Sequence, residues 1–179
     1  ISGIFAASGQ TCIAGSRLLV QRSVYEEVSN RVAAFAGTAR LGDPMEMETQ
    51  VGPITTLPQR EKVLSYIGIA QDEGARCLLG GGTPKAPGLA QGWFVEPTIF
   101  ADVTNTMRIA REEVFGPVLS IIPFEDEAHA LEIANDTIYG LAAGVWTGST
   151  RRAFLMADRL QAGTVWVNTY RAVSFMAPF

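Results

Sequence analysis

Val118-Leu119-Ser120-Ile121-Ile122-Pro123-Phe124 is a nearly continuous apolar run with β-branched members. A strand wetted on one face alternates apolar and polar residues, whereas a strand buried on both faces has no need to. The run therefore reads as an inner strand of a sheet covered by helices. Such strands belong to mostly parallel sheets, whose neighbours are joined by helical crossovers.

The flanking segments supply those helices. After the run, residues 125–136 read as a helix with Ala128, Leu131, Ala134 and Asn135 inward. Residues 141–147 read as a strand. Ser149 or Thr150 caps a helix through Leu160, Gly163 follows it, and 164–168 are a last strand. Before the run, residues 17–22 read as a strand. Ser23 then looks like an N-cap, with Glu26 completing a capping box. Val24, Val28, Val32 and Phe35 predict the inner face of a helix over 24–40, and Gly42-Asp43-Pro44 closes that unit. Residues 45–57 look irregular. Pro58 opens a helix over 59–73 with Val63, Tyr66, Ile67 and Ala70 inward, and Gly74 terminates it. Residues 76–79 form a short strand, 80–92 a surface loop, and 105–113 include a helical turn. Residues 93–100 read as a strand placed at a sheet edge by Pro97. The order is β-α-α-β-β-β-α-β-α-β. This is an α/β chain with a mostly parallel twisted sheet flanked by helices.

Composition narrows the function. The 179 residues fit one domain, with no linker long enough to split it and no internal repeat. Hydrophobic residues are 47% and charged residues 18%, which is globular rather than disordered. The net charge is −4 with scattered basic residues, which argues against a nucleic-acid partner. No apolar run approaches the ~20 residues needed to cross a bilayer, and residues 1–17 lack a signal-peptide pattern. Two cysteines read as reduced thiols of a cytoplasmic protein, and one histidine argues against a His/Cys metal site. The chain opens at Ile1 without Met and stops at Pro178-Phe179 with no closing element. Both ends are expected to be cuts through a longer protein.

Three stretches could carry chemistry. In Gly9-Gln10-Thr11-Cys12-Ile13-Ala14-Gly15-Ser16-Arg17 a cysteine stands in a glycine-flanked turn before a strand. Cys12 reads either as a small buried residue or as a nucleophile presented by that turn. Cys77, within a strand, reads as core. An ordinary thiol titrates at about 8.5, so a nucleophile needs a base. The only histidine, His129, falls on a polar helix face with Glu125, Glu132 and Asp136. A base for Cys12 is then a carboxylate or lies outside these residues. In Arg111-Glu112-Glu113-Val114-Phe115-Gly116-Pro117 two acids precede an aromatic residue and a buried strand. They read as a solvated charge pair, or as a carboxylate that holds sugar hydroxyls. Gly80-Gly81-Gly82-Thr83-Pro84-Lys85 fits neither phosphate-loop pattern and reads as a turn.

The segment Phe5-x-x-x-Gly9-Gln10-x-Cys12-Ile13-Ala14-Gly15-Ser16 resembles the active-site cysteine motif of the aldehyde dehydrogenases. Collinear stretches agree: Glu112 to Pro117, Asn135 to Leu141, Gly163 to Asn168, and Pro178-Phe179. The resemblance covers essentially the whole chain. It implies the Rossmann-like catalytic domain of a longer enzyme. The cofactor is NAD or NADP, and the substrate is a small-molecule aldehyde oxidised through a cysteine thiohemiacetal and thioester. It implies Cys12 as nucleophile, its backbone N–H on the oxyanion, Glu113 on the nicotinamide ribose and Phe115 beside it. Val173 and Phe179 would line the substrate pocket. The dinucleotide-binding domain, the general-base glutamate, the side-chain amide of the oxyanion hole and the oligomerisation strand would lie outside residues 1–179. The residues alone are then expected to be inactive, and the full-length protein a homo-dimer or homo-tetramer. An acylating member that passes the thioester to coenzyme A, and a structural homologue with an inert Cys12, are the alternative readings.

Overall fold

The structure is a computed structural model that describes residues 3–173 and Met176. In the first of two compact units, residues 1–124, the strands are β1 (Arg17–Gln21), β2 (Arg76–Leu79), β3 (Thr98–Ala101) and β4 (Val118–Phe124). The helices are α1 (Tyr25–Ala36), α2 (Leu57–Asp72) and the one-turn α3 (Arg108–Arg111). The sheet order is β1-β4-β3-β2. β4 runs parallel to β1, with Leu19 opposite Ile122, and parallel to β3, with Ile99 opposite Leu119. β2 closes one edge antiparallel to β3. The apolar run is thus an inner strand, with Val118 to Ile122 all buried. β3 is buried along its whole length, which is why it needs no alternation either.

In this unit four local expectations change. Pro97 does not mark an edge strand: β3 begins after it, at Thr98, and lies inside the sheet. A proline just ahead of a strand removes no ladder hydrogen bond, so it is compatible with a central position. Cys77 is exposed rather than core, because β2 is the edge strand. The capping box at Ser23 does not form. Residues 22–24 make a 3-10 turn, Val24 occupies the N-cap without a side-chain bond, and Glu26 instead reaches Arg76 Nη2 at 3.1 Å. The inner row of α1 is Tyr25, Ser29 and Ala36, with Val28 and Val32 partly buried, while Val24 and Phe35 are 44% and 61% exposed. Tyr25 decides between the two neighbouring rows. Its hydroxyl donates to the Ile121 carbonyl at 3.3 Å and accepts from the Asp102 N–H at 2.6 Å, which turns that row to the sheet.

α2 forms where its start signals lie. Thr56 is the N-cap and accepts from the Gln59 N–H, with Pro58 in the first turn. Val63, Ile67 and Ala70 are buried. Gly74 ends the element at φ +90, a conformation that a side chain would strain.

The second unit, residues 125–179, holds α4 (Glu127–Asn135), β5 (Ala142–Val145), α5 (Thr150–Arg159) and β6 (Thr164–Val167). β5 and β6 form their own parallel pair, with Gly144 opposite Trp166. α4 is capped by the Asp126 carboxylate on the His129 N–H, and α5 by Ser149 on the Arg152 N–H. Ala130 and Ile133 are the buried positions of α4, not Ala128, which is exposed. Asn135 fixes the α4 end: its amide donates to the Arg159 carbonyl and accepts from the Gln161 N–H, both at 2.9 Å. The His129 Nδ1 accepts from the Glu125 N–H at 3.3 Å. No helix among the described residues is long and apolar enough to cross a membrane.

Candidate active site

Cys12 stands on an exposed turn between a strained entry and β1. Ala7, Ser8 and Gly9 all have positive φ, at 51, 54 and 70. For Ala7 and Ser8 this costs of order 1–3 kcal/mol each and persists only where other contacts enforce it. Those contacts are visible. Ser8 Oγ donates to the Gly52 carbonyl at 2.7 Å, and Phe5 and Ile4 are buried in the core beneath. Gln10 Oε1 accepts from both the N–H and the hydroxyl of Thr55, at 3.1 and 2.9 Å. Past the cysteine, the Ala14 N–H closes a turn on the Thr11 carbonyl at 2.9 Å. Among the described residues, the Cys12 N–H has no hydrogen-bond partner, so it remains available to an oxygen brought to the thiol.

The same turn is docked on the second motif. A Cβ placed on Gly9 would lie 2.0 Å from the Gly116 carbonyl oxygen and 2.8 Å from the Pro117 nitrogen. Gly116 is closed from another direction, where a Cβ would meet Val63 Cγ2 at 2.5 Å. The cysteine turn and the 112–117 segment therefore meet backbone to backbone at these two glycines, and α2 packs the Val63 side chain against Gly116.

α2 then grips the 112–115 segment along one polar row. Gln59 Nε2 donates to the Val114 and Phe115 carbonyls at 3.0 and 2.9 Å. Lys62 Nζ donates to the Glu113 carbonyl at 2.9 Å. The Tyr66 hydroxyl donates to Glu112 Oε2. Arg108 also reaches that carboxylate, with Nε 3.0 Å from Oε1 and Nη2 3.2 Å from Oε2. The Arg108 guanidinium, then the Tyr66 hydroxyl, lower the Glu112 carboxyl to about 2. Tyr66 in turn is raised by its bond to Glu112. Phe115 is half-buried at φ +56, with its carbonyl held by Gln59.

The two adjacent acids are thereby made unequal. Glu112 is committed to Tyr66 and Arg108. Glu113 is exposed, and among the described residues its carboxylate has no hydrogen-bond or ion-pair partner. An exposed carboxylate with no partner among the described residues fits a sugar that offers paired hydroxyls. Among the described residues there is no group of three His, Cys, Asp or Glu able to hold a metal ion. The Gly80-Gly81-Gly82 loop is a tight turn: the Gly81 N–H donates to Thr98 Oγ1 at 3.0 Å, and a Cβ on Gly80 would lie 2.3 Å from the Pro97 carbonyl oxygen.

Of the residues picked out from sequence, Cys12, Glu113 and Phe115 belong to segments joined at Gly9 and Gly116. Val173 belongs to the second unit and is 50% exposed. Phe179 lies outside the described residues. Sequence reasoning missed Gln59, Lys62, Tyr66 and Arg108. A signal existed in the spacing of Gln59, Lys62 and Tyr66, a polar row at i, i+3 and i+7 beside the apolar row of the same helix.

A cysteine turn locked against a Glu-Val-Phe-Gly-Pro segment in an α/β frame defines a class, and comparison with known proteins bears on which. The model of the aldehyde dehydrogenase family matches residues 1–179. The chain belongs to that family. Betaine aldehyde dehydrogenase of Brucella melitensis is 45% identical over 177 residues, covering 99% of this chain and 36% of that protein. The crystal structure of HpcC from Thermus thermophilus superposes with a TM-score of 0.96 at 42% identity, covering 99% of this chain and 35% of that one. Betaine aldehyde dehydrogenase from Staphylococcus aureus, solved with NAD+, gives 0.97 at 38% identity, covering 99% and 35%. The chain thus spans about a third of the length of the relatives it matches.

Proposed function

We propose that residues 1–179 are the cysteine-bearing catalytic domain of a longer NAD- or NADP-dependent aldehyde dehydrogenase, which oxidises an aldehyde to a carboxylic acid. The observation that carries this reading is the Gly9–Gly116 contact, which joins the turn presenting an exposed thiol to the segment presenting an unpaired carboxylate.

Cys12 is the nucleophile. Its thiolate adds to the aldehyde carbon, forming a C–S bond and an oxyanion that the free Cys12 N–H receives. When bound, the nicotinamide cofactor supplies the hydride acceptor. Loss of a hydride from the thiohemiacetal carbon would leave a thioester, and water then cleaves its C–S bond, releasing the acid and restoring the thiol. Glu113 accepts the ribose hydroxyls and Phe115 packs beside the nicotinamide end. Val173 and Phe179 contribute to the aldehyde pocket. The general base and the side-chain amide of the oxyanion hole come from the rest of the protein, so the isolated residues oxidise no aldehyde. The full-length protein is cytoplasmic and a homo-dimer or homo-tetramer, which sedimentation of that protein tests directly.

The deciding experiment incubates the full-length protein with a panel of aldehydes and follows NADH and NADPH separately. Reduction of one cofactor by some aldehyde, abolished in Cys12→Ala, is the expected result. No turnover with any aldehyde, or retained turnover in Cys12→Ala, overturns the reading.

A further inference from the structure

The two carboxylates of Glu112-Glu113 differ only in what surrounds them, and the surroundings of Glu112 are built from two helices. Tyr66 of α2 donates to it, and Arg108 of α3 binds both of its oxygens. The Tyr66 ring is itself flanked by cations, with Arg108 Cζ 5.6 Å and Lys62 Nζ 5.8 Å from its centroid. A cation over a ring face is attracted to it, which orders both partners. Lys62 also holds the Glu113 carbonyl. The group is continuous: Arg108, Tyr66 and Lys62 tie down one carboxylate and the next residue's backbone.

An exposed pair of adjacent acids has no reason to hold one orientation. Their charges repel, and each side chain rotates in water. With Glu112 fixed, the chain direction at Glu113 is fixed too, and successive residues of an extended segment point to opposite sides. The backbone on either side of Glu113 is extended or held: Glu112 lies at φ −114, ψ 148, and Val114 is gripped through its carbonyl by Gln59. Fixing the first acid therefore aims the second.

We propose that Tyr66, Glu112 and Arg108 are positioning residues that aim the Glu113 carboxylate at the ribose of the nicotinamide cofactor; this rests on the reading of Glu113 given above. They do not touch the cofactor. Their contribution is to lower the entropy that Glu113 loses when it accepts two hydroxyls.

The test uses the full-length enzyme and three variants, Tyr66→Phe, Glu112→Gln and their double, with Glu113→Gln as reference. Cofactor dissociation constants come from tryptophan-fluorescence titration with NADH or NADPH, without aldehyde. Alkylation of Cys12 without cofactor reports whether the thiol turn is intact. Each single variant is expected to weaken cofactor binding about tenfold, with the double no weaker than the stronger single and Cys12 alkylation unchanged. Coupled losses of this kind are the signature of residues acting as a unit. Additive losses, losses accompanied by slowed Cys12 alkylation, or unchanged dissociation constants overturn the proposal. If Glu113→Gln leaves cofactor affinity unchanged, the reading of Glu113 fails. If Glu113→Gln weakens binding and the Tyr66 and Glu112 variants do not, only the positioning role fails.

Discussion

Gly9 and Gly116 meet through their backbones: a Cβ on Gly9 would fall 2.0 Å from the Gly116 carbonyl oxygen. Two motifs about a hundred residues apart in sequence are thus set by one contact that leaves no room for a methyl group. The geometry makes the thiol turn and the 112–117 segment a single rigid joint, with Val63 of α2 behind it.

Gly9→Ala strains that joint twice. The residue sits at φ +70, which costs a side chain about 1–3 kcal/mol, and the clash with Gly116 adds to it. Urea denaturation of the full-length protein is expected to show a loss of at least ~1 kcal/mol. Wild-type stability together with wild-type Cys12 alkylation would show that the joint tolerates a methyl group.

The Cys77 thiol is expected to resist the mild alkylation that reaches Cys12. Both residues are exposed, but partial desolvation raises the Cys77 thiol, whose Sγ donates to the Leu79 carbonyl at 3.4 Å. A raised thiol stays protonated to higher pH, so alkylation of Cys77 needs more alkaline conditions than an ordinary cysteine. Peptide mapping after mild alkylation at neutral pH is expected to find Cys12 modified first. Equal rates at the two sites would contradict it.

Acid titrates the Tyr66–Glu112–Arg108 group in a defined window. The Glu112 carboxyl is lowered from 4.5 to about 2. A lowered folded value means that the stabilisation is present above the unfolded value and is lost as pH falls through the folded one. The stability difference between wild type and Glu112→Gln should be full above 4.5 and vanish on approach to about 2. Denaturant midpoints of both proteins along the acid limb check this, and a difference independent of pH would refute it.

Gln59→Leu removes one amide that serves two carbonyls. The Val114 and Phe115 oxygens, accepting at 3.0 and 2.9 Å, lose their side-chain donor in a partly buried setting. Leaving such acceptors unpaired costs about 1–3 kcal/mol. A fall in urea stability of that size is expected, with Gln59→Glu no better because a carboxylate donates nothing. Recovery of stability in Gln59→Glu would show that packing, not donation, is the role of this residue.

Much of the frame was legible because its signals are local. The apolar run 118–124, the proline in the first turn of α2, the N-cap of α5 and the glycine after α2 each act within a few residues. Where expectation and structure part, a distant partner decides. The face of α1 is chosen by the Tyr25 hydroxyl reaching Ile121 and Asp102. The exposure of Cys77 follows from β2 lying at the sheet edge, a property of strand order rather than of its own residues.

The same division holds at the site. The sequence by itself determined the element order and the two motifs, since apolar periodicity and motif spacing are written along the chain; Cys12 and Glu113 were singled out by the family resemblance that those motifs carry. Only the tertiary structure decided that Gly9 and Gly116 touch, that Glu112 is occupied by Tyr66 and Arg108, and that Glu113 is left open. The physical reason is range. Propensity, capping and the Arg108–Glu112 pair act over one or two turns, whereas Tyr66 meets Glu112 across 46 residues and Gly9 meets Gly116 across about a hundred, contacts that exist only once the sheet has brought them together.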